Sequence, residues 1–191
     1  MTEDHEPTTN PAGTRTSRTV FSAILTWLRD LTVSILIAVV VIIFVYQPVK
    51  VEGTSMMPGL VDQERIFVNK FVYRLGIGEI RRGDLVVFWY PFDQSKSYIK
   101  RVIGLPGDVV SINNGAVLIN GKPLDENYVP KEYRDTLSMS AKTVEPDHYF
   151  VLGDHRNSSN DSRNWGLVPR SCVYGEAVFV YWPLEKIGPV R

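Results

Sequence analysis

The sequence predicts a mainly β fold: an antiparallel β-sheet domain that follows a single N-terminal transmembrane helix. Three observations lead there. Leu31 to Tyr46 contains no charged side chain. From Val49 onward, short apolar stretches alternate with Gly, Asn, Asp and Pro, as strands alternate with turns. No long helical period follows the apolar run, so helices do not organise the remainder.

Residues 1–18 are rich in Thr, Glu, Asn, Gly and Pro and nearly devoid of large apolar side chains. Such a stretch buries too little surface to offset its ordering entropy, and a disordered tail is expected. At ~1.5 Å per residue, Leu31 to Tyr46 covers roughly 24 Å, a little less than the ~30 Å hydrocarbon core. Val20 to Leu28 extends the helix, with Arg29 snorkelling and Trp27 at the interface. Gln47-Pro48 is expected to stop it, which gives an anchor over 19–47. A buried core helix or a cleaved leader fits the same composition. Gln47-Pro48-Val49-Lys50 offers no small-x-small cleavage site, however, and a retained anchor is preferred. Arg15, Arg18 and Arg29 precede the run, against Lys50 and Arg65 after it. That bias predicts a cytoplasmic N-terminus and a domain on the outer face.

Over 48–191 strands are expected at Arg65 to Val68, Asp84 to Tyr90, Ile99 to Ile103, Val109 to Ile112 and Ala116 to Ile119. Two more are expected at His148 to Leu152 and Gly175 to Tyr181. Asn114-Gly115 signals a tight hairpin and Asn120-Gly121 a second turn. Residues 122–146 are the least patterned and are expected to form a flap or loop subdomain.

The 191 residues allow one domain plus an anchor, and a net charge of zero gives no sign of a nucleic-acid partner. Cys172 is the only cysteine, so no internal disulfide exists. Its apolar neighbours favour a small buried hydrophobe over a catalytic thiol. His5, His148 and His155 show no metal-ligand spacing, and no glycine loop for phosphates is present; no metal or organic cofactor is expected. Asp154 and Asp161 share a loop with Arg156 and Arg163, which favours ion pairs over a shared-proton dyad.

Two residues remain for nucleophilic chemistry. Ser55 lies in a turn enforced by Gly53, Pro58 and Gly59 and flanked by Met56 and Met57. It reads either as a turn serine or as an exposed nucleophile. Lys100 falls in an apolar strand, on one face with Tyr98 and Val102, while Arg101 shares a face with Ile99 and Ile103. It reads either as a surface lysine or as a buried one whose depressed pKa makes it a base. Trp89, Tyr90 and Phe92 read equally as β core or as a bilayer contact.

Four ordered blocks resemble the type I signal peptidases, membrane-bound Ser/Lys enzymes. They are Glu52 to Leu60, Arg82 to Phe88, Tyr98 to Asp108, and Gly153 to Arg156 continuing through Ser159, Asp161, Arg163 and Gly166. The resemblance implies that Ser55 is acylated and that Lys100, held neutral, takes its proton. It implies that Ser159 orients the lysine, that Asp161 and Arg163 form a supporting ion pair with Arg101 nearby, and that Gly153 permits close backbone approach. Val49, Val51, Met56, Leu60, Tyr98 and Ile99 would line pockets for small side chains at the first and third positions before the cut. The implied partners are secretory preproteins carrying signal peptides, and the bilayer of the plasma membrane; the oligomeric state is left open. Gly53 stands where some relatives carry an oxyanion-hole hydroxyl, Gly59 where threonine is common, and His155 where asparagine is common. Ser55 N–H is expected as one oxyanion donor, and His155 is expected to be structural or solvent-facing. A self-cleaving repressor would need an Ala-Gly linker and a partner domain. A decayed binding module would be expected to lose Ser55 or Lys100.

Overall fold

The computed structural model describes residues 15–71 and 78–190; residues 1–14, with His5 and most of the expected tail, lie outside them. The chain divides after Phe44 into a helical unit and a β unit. Helix α1, Arg15–Val45, contains a stretch at Ser22–Val40 with mean hydropathy 1.9 and no burial, long and apolar enough to cross a membrane.

Both ends of α1 differ from expectation. It begins within the segment read as tail, because no Gly or Pro lies between Gly13 and Pro48 and a helix propagates readily from apolar turns already formed. It stops before Gln47-Pro48, because Tyr46–Lys50 is a strand, β1, paired antiparallel with β2, Arg65–Asn69. Pro48 is tolerated there because β1 is the edge of its sheet, where a missing N–H breaks no ladder.

The β unit continues with β3, Leu85–Tyr90, and β4, Asp93–Gly104. Next come β5, Val109–Asn113, β6, Ala116–Ile119, β7, Lys122–Pro123, and β8, Met139–Thr143. After β9, His148–Leu152, a short helix α2, Ser162–Trp165, leads to β10, Val168–Pro169. Strands β11, Val173–Trp182, and β12, Gly188–Pro189, complete the chain. One sheet has the order β1-β2-β11-β3-β4-β9-β10, with β12 beside β11; the other is β7-β6-β5-β8. Every pairing is antiparallel, as expected.

The large sheet is buried on both faces. Val86 and Phe88 enter one core cluster with Val102, Tyr149 and Val151, while Leu85 and Val87 enter another with Met56, Leu60, Ile66 and Val68. Double burial explains why β3 reads as an unbroken apolar run. A third cluster joins Ile103, Phe150 and Leu152 to Val110, Ile112 and Val117 of the small sheet. Asn114 and Gly115 both take positive φ (47° and 80°) and close the β5–β6 hairpin in the two-residue form expected. Cys172 is buried in the first cluster.

Strand β4 begins six residues earlier than expected, since its polar start, Asp93 to Ser97, pairs back on β3 as a projecting hairpin. Residues 122–146 are not wholly loop: β7 and β8 lie within them and flank β6 and β5. On the hairpin Tyr90 packs edge-on against Phe92, Tyr98 and Trp165, while Phe92 is 73% and Trp89 43% exposed.

Candidate active site

The loop between β1 and β2 carries Ser55, and its fold follows from what flanks the serine. Met56 and Leu60 are buried in the core and draw the chain inward, and Leu60 N–H donates to Met56 O at 2.9 Å. Gly53 adopts φ +93°, a conformation that favours glycine, and donates its N–H to Asp62 Oδ1 at 2.8 Å. Met57 N–H closes a turn onto Thr54 O at 3.1 Å. Ser55 stands at the head of this turn. Its own N–H has no hydrogen-bond acceptor among the described residues.

Lys100 comes from β4, opposite Val86 of β3. It is 2% exposed, and its Nζ lies 2.6 Å from Ser55 Oγ. Burial lowers the ammonium from 10.5 to about 8; Asp161 and then Asp154 oppose the shift, and Arg163 adds to it. At about pH 7 roughly one amine in ten is then neutral, against about one in a thousand for an unperturbed lysine.

The loop after β9 closes behind this pair. Gly153 leaves no room for a side chain: a Cβ there would lie 2.2 Å from Ser159 Oγ and 2.4 Å from Ser55 O. Its N–H donates to Asp161 Oδ2 at 3.1 Å, and its carbonyl accepts from Arg156 Nε at 3.0 Å. Asp161 caps α2 through Arg163 N–H and receives the Arg163 guanidinium at 2.8 Å. Arg101 donates twice to Asp154, at 2.8 and 2.6 Å, and once to Gly83 O at 2.9 Å.

Two expectations need correction. Ser159 reaches Gly153, but its Oγ is buried without a hydrogen-bond partner and does not bond Lys100. Arg156 does not pair with an aspartate of its own loop. Asp154 is taken by Arg101, and Arg156 pairs with Glu126, with Nη1 at 3.0 Å from Oε2. His155 packs against the nucleophile turn: Nδ1 lies 3.1 Å from Thr54 O, its backbone N–H donates to Ser55 O at 3.1 Å, and its ring meets Tyr133 edge-on.

A cleft of about 540 Å³ opens over Ser55 and Lys100. Val49, Val51, Met56, Tyr98 and Ile99 line it, joined by Lys96 and Tyr174. Leu60 does not: fully buried, it supports Met56 from beneath. Sequence reasoning missed Glu126, Tyr128, whose ring lies 4.2 Å from the Arg101 guanidinium, and Asp135, which pairs with Arg163. No local signal marked them, since each acts on a partner far along the chain.

A family model described as signal peptidase, peptidase S26, matches residues 24–182. A signal peptidase I of Bacillus amyloliquefaciens is 37% identical over 201 residues, covering 100% of both chains. A probable signal peptidase I-2 of Synechocystis is 39% identical, covering 85% of this chain and 77% of its own. A crystal structure of a signal peptidase I from Enterococcus faecalis is 32% identical and covers 51% of this chain and 96% of that one, with a TM-score of 0.46. A match that runs from the apolar helix to the end of β11, with one relative alike over its whole length, means that this chain belongs to the signal peptidase family, peptidase S26, whose members are serine endopeptidases.

Proposed function

We propose that this protein is a membrane-anchored endopeptidase that removes signal peptides from exported preproteins through a Ser55–Lys100 acyl-enzyme mechanism. The observation that carries this reading is the 2.6 Å approach of Ser55 Oγ to a lysine that burial brings to about 8. With the amine neutral, Ser55 O–H donates to Nζ. As Oγ attacks the scissile carbonyl carbon, its proton passes to Lys100, and Ser55 N–H faces the developing oxyanion. The ammonium then protonates the departing amine, leaving an ester on Ser55. Lys100, neutral again, takes a proton from the water that hydrolyses that ester, and the serine is restored.

The substrate would lie extended along β1 and β4, adding backbone hydrogen bonds at the sheet edge. Val51, Met56 and Ile99 crowd the cleft beside Ser55 and favour small side chains at the first and third positions before the cut. Asp161, Arg163, Arg101 and Gly153 support the pair from behind. The apolar stretch Ser22–Val40 would hold the chain in the plasma membrane, N-terminus inside and peptidase unit outside. The test is cleavage of a signal-peptide-bearing preprotein by the full chain in detergent. Ser55→Ala and Lys100→Ala, each folded, should both abolish cleavage; full activity in either variant ends this mechanism.

A further inference from the structure

Ser55 N–H, the donor aimed at the oxyanion, belongs to the same peptide unit as Thr54 C=O. A peptide is planar and trans, so whatever fixes the direction of its carbonyl fixes its N–H, which points the opposite way. Gly53 contributes no hydroxyl, so the Ser55 N–H is the donor identified for the hole, and what holds the Thr54–Ser55 peptide acquires catalytic weight. Two donors hold it. Met57 N–H, within the turn, and His155 Nδ1, from the loop after β9, both lie 3.1 Å from Thr54 O. A carbonyl only accepts, so Nδ1 carries the proton in this contact.

We infer that His155 is a positioning residue for the oxyanion hole: its Nδ1–H locks and polarises the Thr54–Ser55 peptide so that Ser55 N–H meets the developing charge. Three further observations support this. The His155 backbone N–H donates to Ser55 O at 3.1 Å, which fixes the middle peptide of the turn, the one that flips between turn types. Tyr133 lies edge-on to the imidazole at 4.6 Å and 87°, which restricts the rotation of the ring. Gly153, two residues earlier, presses against Ser55 O, so the loop carrying His155 follows the nucleophile turn closely. Hydrogen bonds in series strengthen one another, so donation to the carbonyl makes the opposite N–H a better donor. The imidazole is thereby committed to the back of the turn, away from Ser55 Oγ, which Lys100 serves.

This inference rests on the Ser55–Lys100 reading, and its test separates the two. Asparagine carries its amide nitrogen on Cγ, where histidine carries Nδ1; glutamine carries it one carbon further out. Cleavage by the full chain in detergent is measured with kcat and KM resolved, for His155→Ala, His155→Asn, His155→Gln and Ser55→Ala. His155→Ala and His155→Gln should lower kcat about tenfold with KM nearly constant, while His155→Asn retains most of it. Parent kcat in His155→Ala, a loss confined to KM, or equal losses in His155→Asn and His155→Gln would each overturn the assignment. If His155→Ala fails to fold, the Asn and Gln variants, both of which keep a polar side chain, decide alone. An active Ser55→Ala overturns the Ser/Lys mechanism and this inference with it. An inactive Ser55→Ala beside a fully active His155→Ala overturns this inference only.

Discussion

Replacing Lys100 with methionine should stabilise the protein at neutral pH while ending its activity. The lysine is 2% exposed, and burial lowers it from 10.5 to about 8. The unfolded chain therefore holds its proton more tightly. Between about pH 8 and 10.5 the unfolded state binds more protons than the folded one, so parent stability rises with pH across that window. Below about pH 8 the folded state carries a desolvated ammonium. At about 1.4 kcal/mol per pH unit, the gap corresponds to about 3 kcal/mol. Methionine has similar length and no charge, so Lys100→Met removes this cost. For a domain of this size, that is a rise of roughly 6–12 °C in Tm near neutrality. The advantage should shrink through the window and vanish above 10.5. Unfolding of both proteins across a pH series, full chain in detergent, measures it; groups that titrate alike in the two cancel in the difference. A Lys100→Met protein less stable than its parent near neutrality, or a difference constant with pH, would refute the reasoning.

The same depression sets the pH dependence of turnover. If the base is Lys100, as proposed, and acts neutral, kcat/KM should fall about tenfold per pH unit below about 8 and level off above it; an inflection near about 6.5 instead would point to a histidine base. Gly153→Ala should cost at least about a hundredfold in turnover, because an ångström of displacement in a reacting pair has that effect. Its Cβ would meet Ser55 O at 2.4 Å, where backbone must move. Cleavage rate together with circular dichroism checks this, and a folded Gly153→Ala protein at parent rate contradicts the packing described.

The parts of the fold legible in the sequence were those where an unbroken apolar run marks a strand buried on both faces, as in β3, or where turn chemistry is strict. Asn114-Gly115 announced its hairpin because few other residues accept positive φ at both positions. Strand β8 was missed because four of its five residues, Ser140 to Thr143, are exposed, so no alternation marks it. Strand β1 was missed because Gln47-Pro48 reads as a helix stop, and only its edge position makes proline harmless. At the site, Ser55 and Lys100 were ambiguous one by one and distinct only as members of ordered blocks. The ion pairs were legible as charges but not as partnerships. Arg101 and Asp154 are 53 residues apart and Glu126 and Arg156 30 apart, distances over which only the fold decides who meets whom.

Those partnerships bear on how Lys100 could serve as the proposed base beside two aspartates. Asp161 and Asp154 are the groups that push Lys100 back toward its charged form. Left free, two buried carboxylates would hold the ammonium protonated and remove the base. Neither is free. Arg163 takes Asp161 through two hydrogen bonds, and Arg101 takes Asp154 through two more. Each carboxylate meets the lysine as half of a neutral pair, and Arg163 itself lowers the Lys100 pKa. Desolvation therefore prevails. The arginines are held in turn, Arg101 by Gly83 O and the Tyr128 ring, Arg163 by Asp135 and the Arg156 carbonyl. A buried ion pair contributes little net stability once its desolvation is counted. Here its use is different: Asp161 fixes Gly153 and α2 by hydrogen bonds, while the arginines offset the charge that both aspartates present to a lysine proposed to act in its neutral form.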